Sequence, residues 1–297
     1  MRITQRAVAL TSLQGLNRNL DAVGKLQQQL TSGKKISAPS DSPTGTNKAM
    51  QTRAEQAAVA QQARNISDAK GWLEQGDSTL REMLDTSRRV RDLTVQGLNT
   101  GAVSEASQKA LSTEVVSLRE GLLALANTQV QGRPLFGGVT TGAKAYDADG
   151  SWAGQEGPPI TRRLSESESV RVDLTGREAF GPDASNLFAI VERIATNLTS
   201  TDPTATAALE TDLADLDVAM KRMSTAVADI GSRASRVDRA EQLTFDRSLS
   251  LTIRLGETEN VDLPETIMRL QMQQVGYEAA LAATAKAISP TLLDYLR

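Results

Sequence analysis

Three acids near the middle of the chain, Asp147, Asp149 and Asp183, are of the residue type that holds calcium. Their spacing matches no calcium loop, whose ligands recur at alternate positions over about twelve residues. Solvated loop acids are the simpler reading. Phe136-Gly137-Gly138 is the kind of turn that cradles a phosphate. It lacks the lysine and following helix of a phosphate loop, so a turn leaving a helix explains it better. The chain has no histidine and no cysteine. This excludes thiolate or imidazole metal sites, a disulfide framework, and any Ser-His-Asp or Cys-His pair. Carboxylate, Lys, Tyr or Ser/Thr chemistry remains open. No constellation of those residues forms, so no catalytic, cofactor or metal residue is assigned and no enzyme activity is expected.

The elements around these residues are long helices. Among 297 residues only 3 % are aromatic and 39 % hydrophobic, which suits narrow helix seams better than a thick core. Leu13, Leu16, Leu20, Val23 and Leu30, with Gln27 at the missing beat, step by three and four through a first helix ending near residue 36. A Pro-rich turn at 37–45 breaks it. A second helix over about 45–98 carries Ile66, Ala69, Leu73, Gly76, Leu80, Met83 and Val90 on one stripe, and a third over 104–129 carries Leu111, Val115, Leu118, Leu122 and Leu125.

Residues 131–183 hold nine glycines and four prolines, and the helical period disappears. Ile160–Leu164 and Ser169–Leu174 alternate like half-buried strands, predicting a small β-rich insert. A short helix follows at 184–198. The longest begins at Asp202-Pro203 and carries Leu209, Leu213, Leu216, Met220, Met223, Val227, Ile230, Ala234 and Val237. At about 1.5 Å per residue it spans roughly 80 Å, which predicts a rod. The last segment places Leu263, Ile267, Leu270, Tyr277, Leu281 and Ile288 on one stripe and ends with Leu292, Leu293, Tyr295 and Leu296.

The charge differs between the ends. Residues 1–40 carry six bases and one acid, whereas 256–297 carry six acids and three bases. Opposite charge and matched stripes predict that the termini pair with each other or with the ends of neighbouring subunits. The expected fold is therefore mainly α: an elongated antiparallel bundle or coiled coil with both termini at one end and the β-rich insert at the other. Its expected parts are a terminal coiled-coil domain (1–40 and 256–297), a helical rod (41–130 and 184–255) and the outer insert (131–183). The overall net charge of −3 gives no basic field for nucleic acid. No apolar run approaches a membrane helix of about 20 residues, and the start does not read as a cleaved signal peptide.

Two stretches carry a family resemblance. One is Leu26-Gln27-Gln28-Gln29-Leu30-Thr31-Ser32-Gly33-Lys34-Lys35-Ile36-Ser37 with Pro39-Ser40-Asp41-Ser42-Pro43. The other is Asp262-Leu263-Pro264-Glu265-Thr266 through Leu270-Gln271-Met272-Gln273-Gln274-Val275-Gly276-Tyr277-Glu278-Ala279-Ala280-Leu281. In that order they resemble the bacterial flagellin superfamily. Gln131-Gly132-Arg133-Pro134-Leu135-Phe136-Gly137-Gly138 and the ending Leu292-Leu293-Asp294-Tyr295-Leu296-Arg297 resemble its hook–filament junction branch, the third hook-associated proteins, more than filament flagellin. Ser42 departs from the family, which often has a second Asp there; the departure bears on the turn's local hydrogen bonding and not on the resemblance. Beyond Gly138 the insert carries none of the resemblance.

The resemblance implies a structural subunit of the bacterial flagellum, with a short filament flagellin as the alternative. It implies a ring of copies placed between the first hook-associated protein and flagellin. It further implies export through the flagellar type III apparatus without a cleaved signal peptide, and an export chaperone at the C-terminal region. The expected assembly residues are Leu13, Leu16, Leu20, Val23 and Leu30 at the N-terminal end. At the C-terminal end, for assembly or the chaperone, they are Leu263, Ile267, Leu270, Tyr277, Leu281, Ile288, Leu292, Leu293, Tyr295 and Leu296.

Overall fold

The computed structural model describes residues 2–99, 104–202 and 204–288. The fold is mainly α, with long antiparallel helices and a small strand insert. The helices are α1 (Arg2–Ser32), α2 (Pro43–Leu98), α3 (Glu105–Ala126), α4 (Gly176–Phe180), α5 (Leu187–Leu198), α6 (Ala205–Glu259) and α7 (Leu263–Ile288). The strands are β1 (Gln129–Val130), β2 (Arg133–Pro134), β3 (Thr161–Arg163) and β4 (Ser169–Arg171). The chain divides into two units, one drawn from Met1–Val59 and Arg247–Arg297, the other Ala60–Asp246.

The unit Ala60–Asp246 holds the main core. On α2, Ile66, Ala69, Leu73, Leu80, Met83 and Val90 are all buried. The sequence stripe has no apolar residue at Ser87 and Thr94, yet both are buried. Each hydroxyl donates to the carbonyl four residues back, Met83 O at 2.8 Å and Val90 O at 2.8 Å, so the seam runs on without an unsatisfied group. On α6, Leu209, Leu216, Met223, Ile230 and Val237 are buried at seven-residue steps. Lys70 Nζ on α2 reaches Glu241 on α6 at 2.7 Å, and Arg91 Nε reaches Asp217 at 2.7 Å, so the two helices run antiparallel. Ser104 caps α3, its hydroxyl accepting from Ser107 N. Ser112 Oγ then donates to Ala195 O of α5 at 2.7 Å.

The insert is sewn onto this bundle. β3 and β4 pair antiparallel with Arg162 opposite Val170. These strands are shorter than the alternation predicts, because Asp173 turns its carboxylate back to Ile160 N at 2.8 Å and Arg171. Arg162 Nε joins Asp68 of α2 at 2.5 Å, and Arg233 of α6 donates to Asp173 O at 3.0 Å. Phe136, Tyr146, Phe180 and Phe188 form one cluster of ring contacts, with centroids 4.7–5.8 Å apart. The scarce aromatic residues are thus concentrated where the insert meets α5. Burial drives the Tyr146 hydroxyl pKa well above its ordinary value.

The glycine turn after β2 is stitched to the insert. Val139 N donates to Gln155 O, Gln155 N to Gly137 O, and Trp152 Nε1 to Phe136 O. Of the insert acids, Asp183 pairs with Arg177 at 2.8 Å, while Asp149 accepts from the Ser151 hydroxyl and N–H, which lower its pKa.

Candidate assembly interface

The unit formed by the two ends is built differently. Its buried apolar side chains, among the described residues, are Leu16, Ala49, Val59 and Leu251 alone. That is too little to hold a domain by burial. Polar contacts organise it instead. α1 ends where Gly33 takes the left-handed conformation (φ 67°), the usual helix stop, a few residues before the period suggests. The chain then pairs with the turn between α6 and α7. Lys35 N donates to Glu259 O at 2.6 Å, Val261 N donates to Gly33 O at 3.1 Å, and Lys34 lies opposite Asn260 in an antiparallel bridge.

Glu259 anchors this clasp. Its carboxylate is buried and lies 2.7 Å from Arg53 Nη2 of α2 and 3.5 Å from Lys34 Nζ. Asp41 ties down the turn before α2. One carboxylate oxygen accepts from Ser37 N, Ser37 Oγ and Ala38 N, each at 3.1 Å, and the other pairs with Lys25 Nζ at 2.9 Å. The Lys25 ammonium, then those Ser37 and Ala38 donors, hold its pKa far below the ordinary carboxylate value.

α1 and α7 pack antiparallel, with Asn19 Oδ1 accepting from Gln273 Nε2 at 3.1 Å. The protected positions of α1 recur at Ser12, Leu16, Asn19, Val23, Leu26 and Leu30; those of α7 at Thr266, Leu270, Gln273, Tyr277, Ala280 and Thr284. Both rows step by four and three, the period of a paired seam. The seam is half polar. Five further large aliphatics lie outside it: Leu13 51 %, Leu20 51 %, Leu263 50 %, Ile267 45 % and Leu281 43 % exposed.

Leu13, Leu20, Ile267 and Leu281 each directly follow a seam residue. On antiparallel helices one step in the same rotational sense leads to the same side of the pair. The four therefore lie on one side of the pair, where Asn17, Gln27, Gln271, Gln274 and Glu278 alternate with them. Met268, Met272 and Val275, also exposed, lie on the opposite side of α7 from its seam.

The expected assembly residues thus separate into two sets. Leu16, Val23, Leu30, Leu270 and Tyr277 face the seam within the subunit, whereas Leu13, Leu20, Leu263, Ile267 and Leu281 face outward. Ile288 ends α7. Leu292, Leu293, Tyr295 and Leu296 lie outside the described residues. Sequence reasoning missed Met268, Met272 and Val275, although their steps of four and three were there to read. It also missed Glu259, whose partners Lys34 and Arg53 lie more than 200 positions away, where no local pattern points to them.

A family model for the bacterial flagellin N-terminal helical region matches residues 3–141. The chain is 26 % identical to the flagellar hook-associated protein 3 of Escherichia coli (strain K12), over 95 % of this chain and 96 % of that one. It is 24 % identical to a flagellin of Bacillus subtilis (strain 168), over 97 % and 96 %. Among solved structures, Bacillus cereus FlgL superposes with a TM-score of 0.61 at 21 % identity, covering 69 % of this chain and 99 % of that one.

Proposed function

We infer that this chain, which belongs to the flagellin superfamily, is a structural subunit of the bacterial flagellum forming the junction between hook and filament. One observation carries the mechanism. The terminal unit has almost no core of its own, yet it displays the aliphatic face Leu13, Leu20, Ile267 and Leu281. Large aliphatic side chains left in water on one side of a helix pair are a liability in an isolated subunit and a resource in an assembly. Packing against neighbouring copies supplies the burial that α1 and α7 lack alone, so the terminal unit completes its folding as the structure is built.

On this reading the outward aliphatics make the contacts between subunits, and Leu16, Val23, Leu30, Leu270 and Tyr277 hold α1 to α7. The neighbours are a ring of further copies, the first hook-associated protein on the hook side and flagellin on the filament side. The chain reaches that place through the type III export apparatus, without a cleaved signal peptide and with a chaperone on its C-terminal region. A short filament flagellin is the competing reading, because it needs the same terminal helices. Immunogold labelling of flagella separates the two. A label confined to one zone between hook and filament is expected; a label along the whole filament would overturn the junction assignment.

A further inference from the structure

Two pairs of residues flank the α1–α7 seam on opposite sides at nearly one level. The Asn19–Gln273 bond sets the register of the antiparallel helices. Counting from it, Gly276 stands level with Leu16, and Leu281 with Thr11. Gly15 and Gly276 each directly precede a seam residue, Leu16 and Tyr277, so they flank the seam on one side. Leu13 and Leu281 each directly follow one, Ser12 and Ala280, so they flank it on the other. The leucine pair and the glycine pair lie about one turn apart along the axis, roughly 5 Å.

One side thus carries a double knob and the other a double hollow. Glycine is unfavourable inside a helix. A Cβ added at Gly15 or Gly276 would meet nothing within 4 Å, so no contact inside the subunit requires either glycine. At Gly76 and Gly97, by contrast, Ile230 and Leu198 approach closely. Two bare stretches of backbone facing each other across a seam admit a large side chain from outside. Charge follows the same division. Arg18 directly precedes Asn19 and lies on the glycine side, whereas Glu278 directly follows Tyr277 and lies on the leucine side. Both are exposed and in no ion pair among the described residues.

We propose that the leucine side of one copy docks on the glycine side of the next. Leu13 and Leu281 enter the hollow beside the neighbour's Gly15 and Gly276, and Glu278 meets the neighbour's Arg18, which fixes the register. The occupant is a second copy of this chain. Leucine side against leucine side would leave both hollows empty and every Arg18 without a partner. Because the two sides differ, the contact repeats head to tail, the arrangement that closes into a ring or runs on as a helix. This inference rests on the reading that the terminal unit joins copies, and adds which surfaces meet.

The chain has no cysteine, so Arg18→Cys combined with Glu278→Cys supplies its only two thiols. Loss of one exposed ion pair leaves assembly in place. Within a copy the two positions lie on opposite sides of the helix pair, so a disulfide between them joins copies. Mild oxidation of flagella isolated from cells making the double variant is expected to give a ladder of covalent multimers, and neither single variant any. A dimer from either single variant would set like sides together and overturn the proposal, as would flagella that contain the double variant and give no ladder. A second arm fills the hollow. Gly15→Leu and Gly276→Leu have room within the subunit, so helical dichroism is kept, while the amount of chain in isolated flagella falls about tenfold. Gln14→Leu, which puts the same side chain on the face away from α7, leaves that amount unchanged. Full incorporation of both glycine variants overturns the proposal. Should Leu20→Asp and Leu281→Asp then also assemble normally, the role of the terminal unit in assembly fails with it; should they not, only the pairing of sides fails.

Discussion

Arg53 and Glu259 stand 206 positions apart in the chain and meet with a guanidinium nitrogen 2.7 Å from a carboxylate oxygen. The Glu259 side chain is 7 % exposed, so this contact and the adjoining Lys34 contact replace the solvation it loses. Removing one partner of a fully buried pair costs about 3–5 kcal/mol. Arg53 and Lys34 are each about half exposed, and water takes over much of their loss. Glu259→Ala is therefore expected to destabilise the clasp by roughly 1–2 kcal/mol. Hydrogen exchange at Lys35 and Val261, whose N–H groups bond across the clasp, reads this directly; unchanged protection there would refute the anchoring role.

The outward aliphatic face predicts variants that fold but do not assemble. Leu20→Asp and Leu281→Asp alter side chains that are 51 % and 43 % exposed, so neither opens a cavity in the subunit. Helical dichroism and the unfolding midpoint should stay near those of the parent, while cells carrying either variant lose swimming. Normal motility with either variant would rule out this face as a contact between subunits.

Asp41 gives the terminal unit an acid-sensitive tether. Its folded pKa lies below the ordinary 3.8, lowered first by Lys25 and then by the Ser37 and Ala38 donors. A depressed carboxyl contributes stability that is complete above its unfolded pKa and is lost as pH falls through the folded one. Protection factors at Ser37 and Ala38 are therefore expected to hold above about pH 5 and to fall progressively below about pH 4. In Asp41→Asn they should be low throughout and flat across that window. A variant that kept the parental pH profile would show that another group is responsible.

Two glycines predict opposite responses to the same change. A Cβ on Gly97 collides with Leu198 Cδ2, whereas one on Gly121 meets nothing within 4 Å. Gly121→Ala should raise stability by about 0.5–1 kcal/mol through helix propensity alone. Gly97→Ala gains the same term but overpacks the contact with Leu198, at a cost of about 1–3 kcal/mol, and should lower stability on balance. Thermal unfolding of the two variants side by side measures this; two shifts of the same sign would contradict the close approach at Gly97.

The stripes of α2 and α6 were legible because their apolar residues lie on a single face, so Leu209 through Val237 could be read straight off the period. Ser87 and Thr94 escaped because a hydroxyl bonded to the preceding turn counts as buried without being apolar. The terminal helices were legible as helices but not in their rotation. Leu13 and Leu16 both fit a step of three, and only the partner helix decides which of them turns inward. Asn19 and Gln273 settle that choice with a side-chain hydrogen bond between residues 254 positions apart. The buried indole nitrogen of Trp72, which meets no acceptor among the described residues, left no trace in the sequence, because such pairing is a property of the surroundings.

The clasp between residues 33–35 and 259–261 has a mechanical consequence. Both ends of the chain leave from the same side of it, so tension applied to them reaches the clasp before the 223 residues from Ile36 to Thr258 that it encloses. An antiparallel pair of strands loaded from one end opens bond by bond, a weaker geometry than shearing all bonds at once. Load on the ends therefore peels α1 from α7 first and meets the clasp next, before it reaches the helices that the clasp encloses.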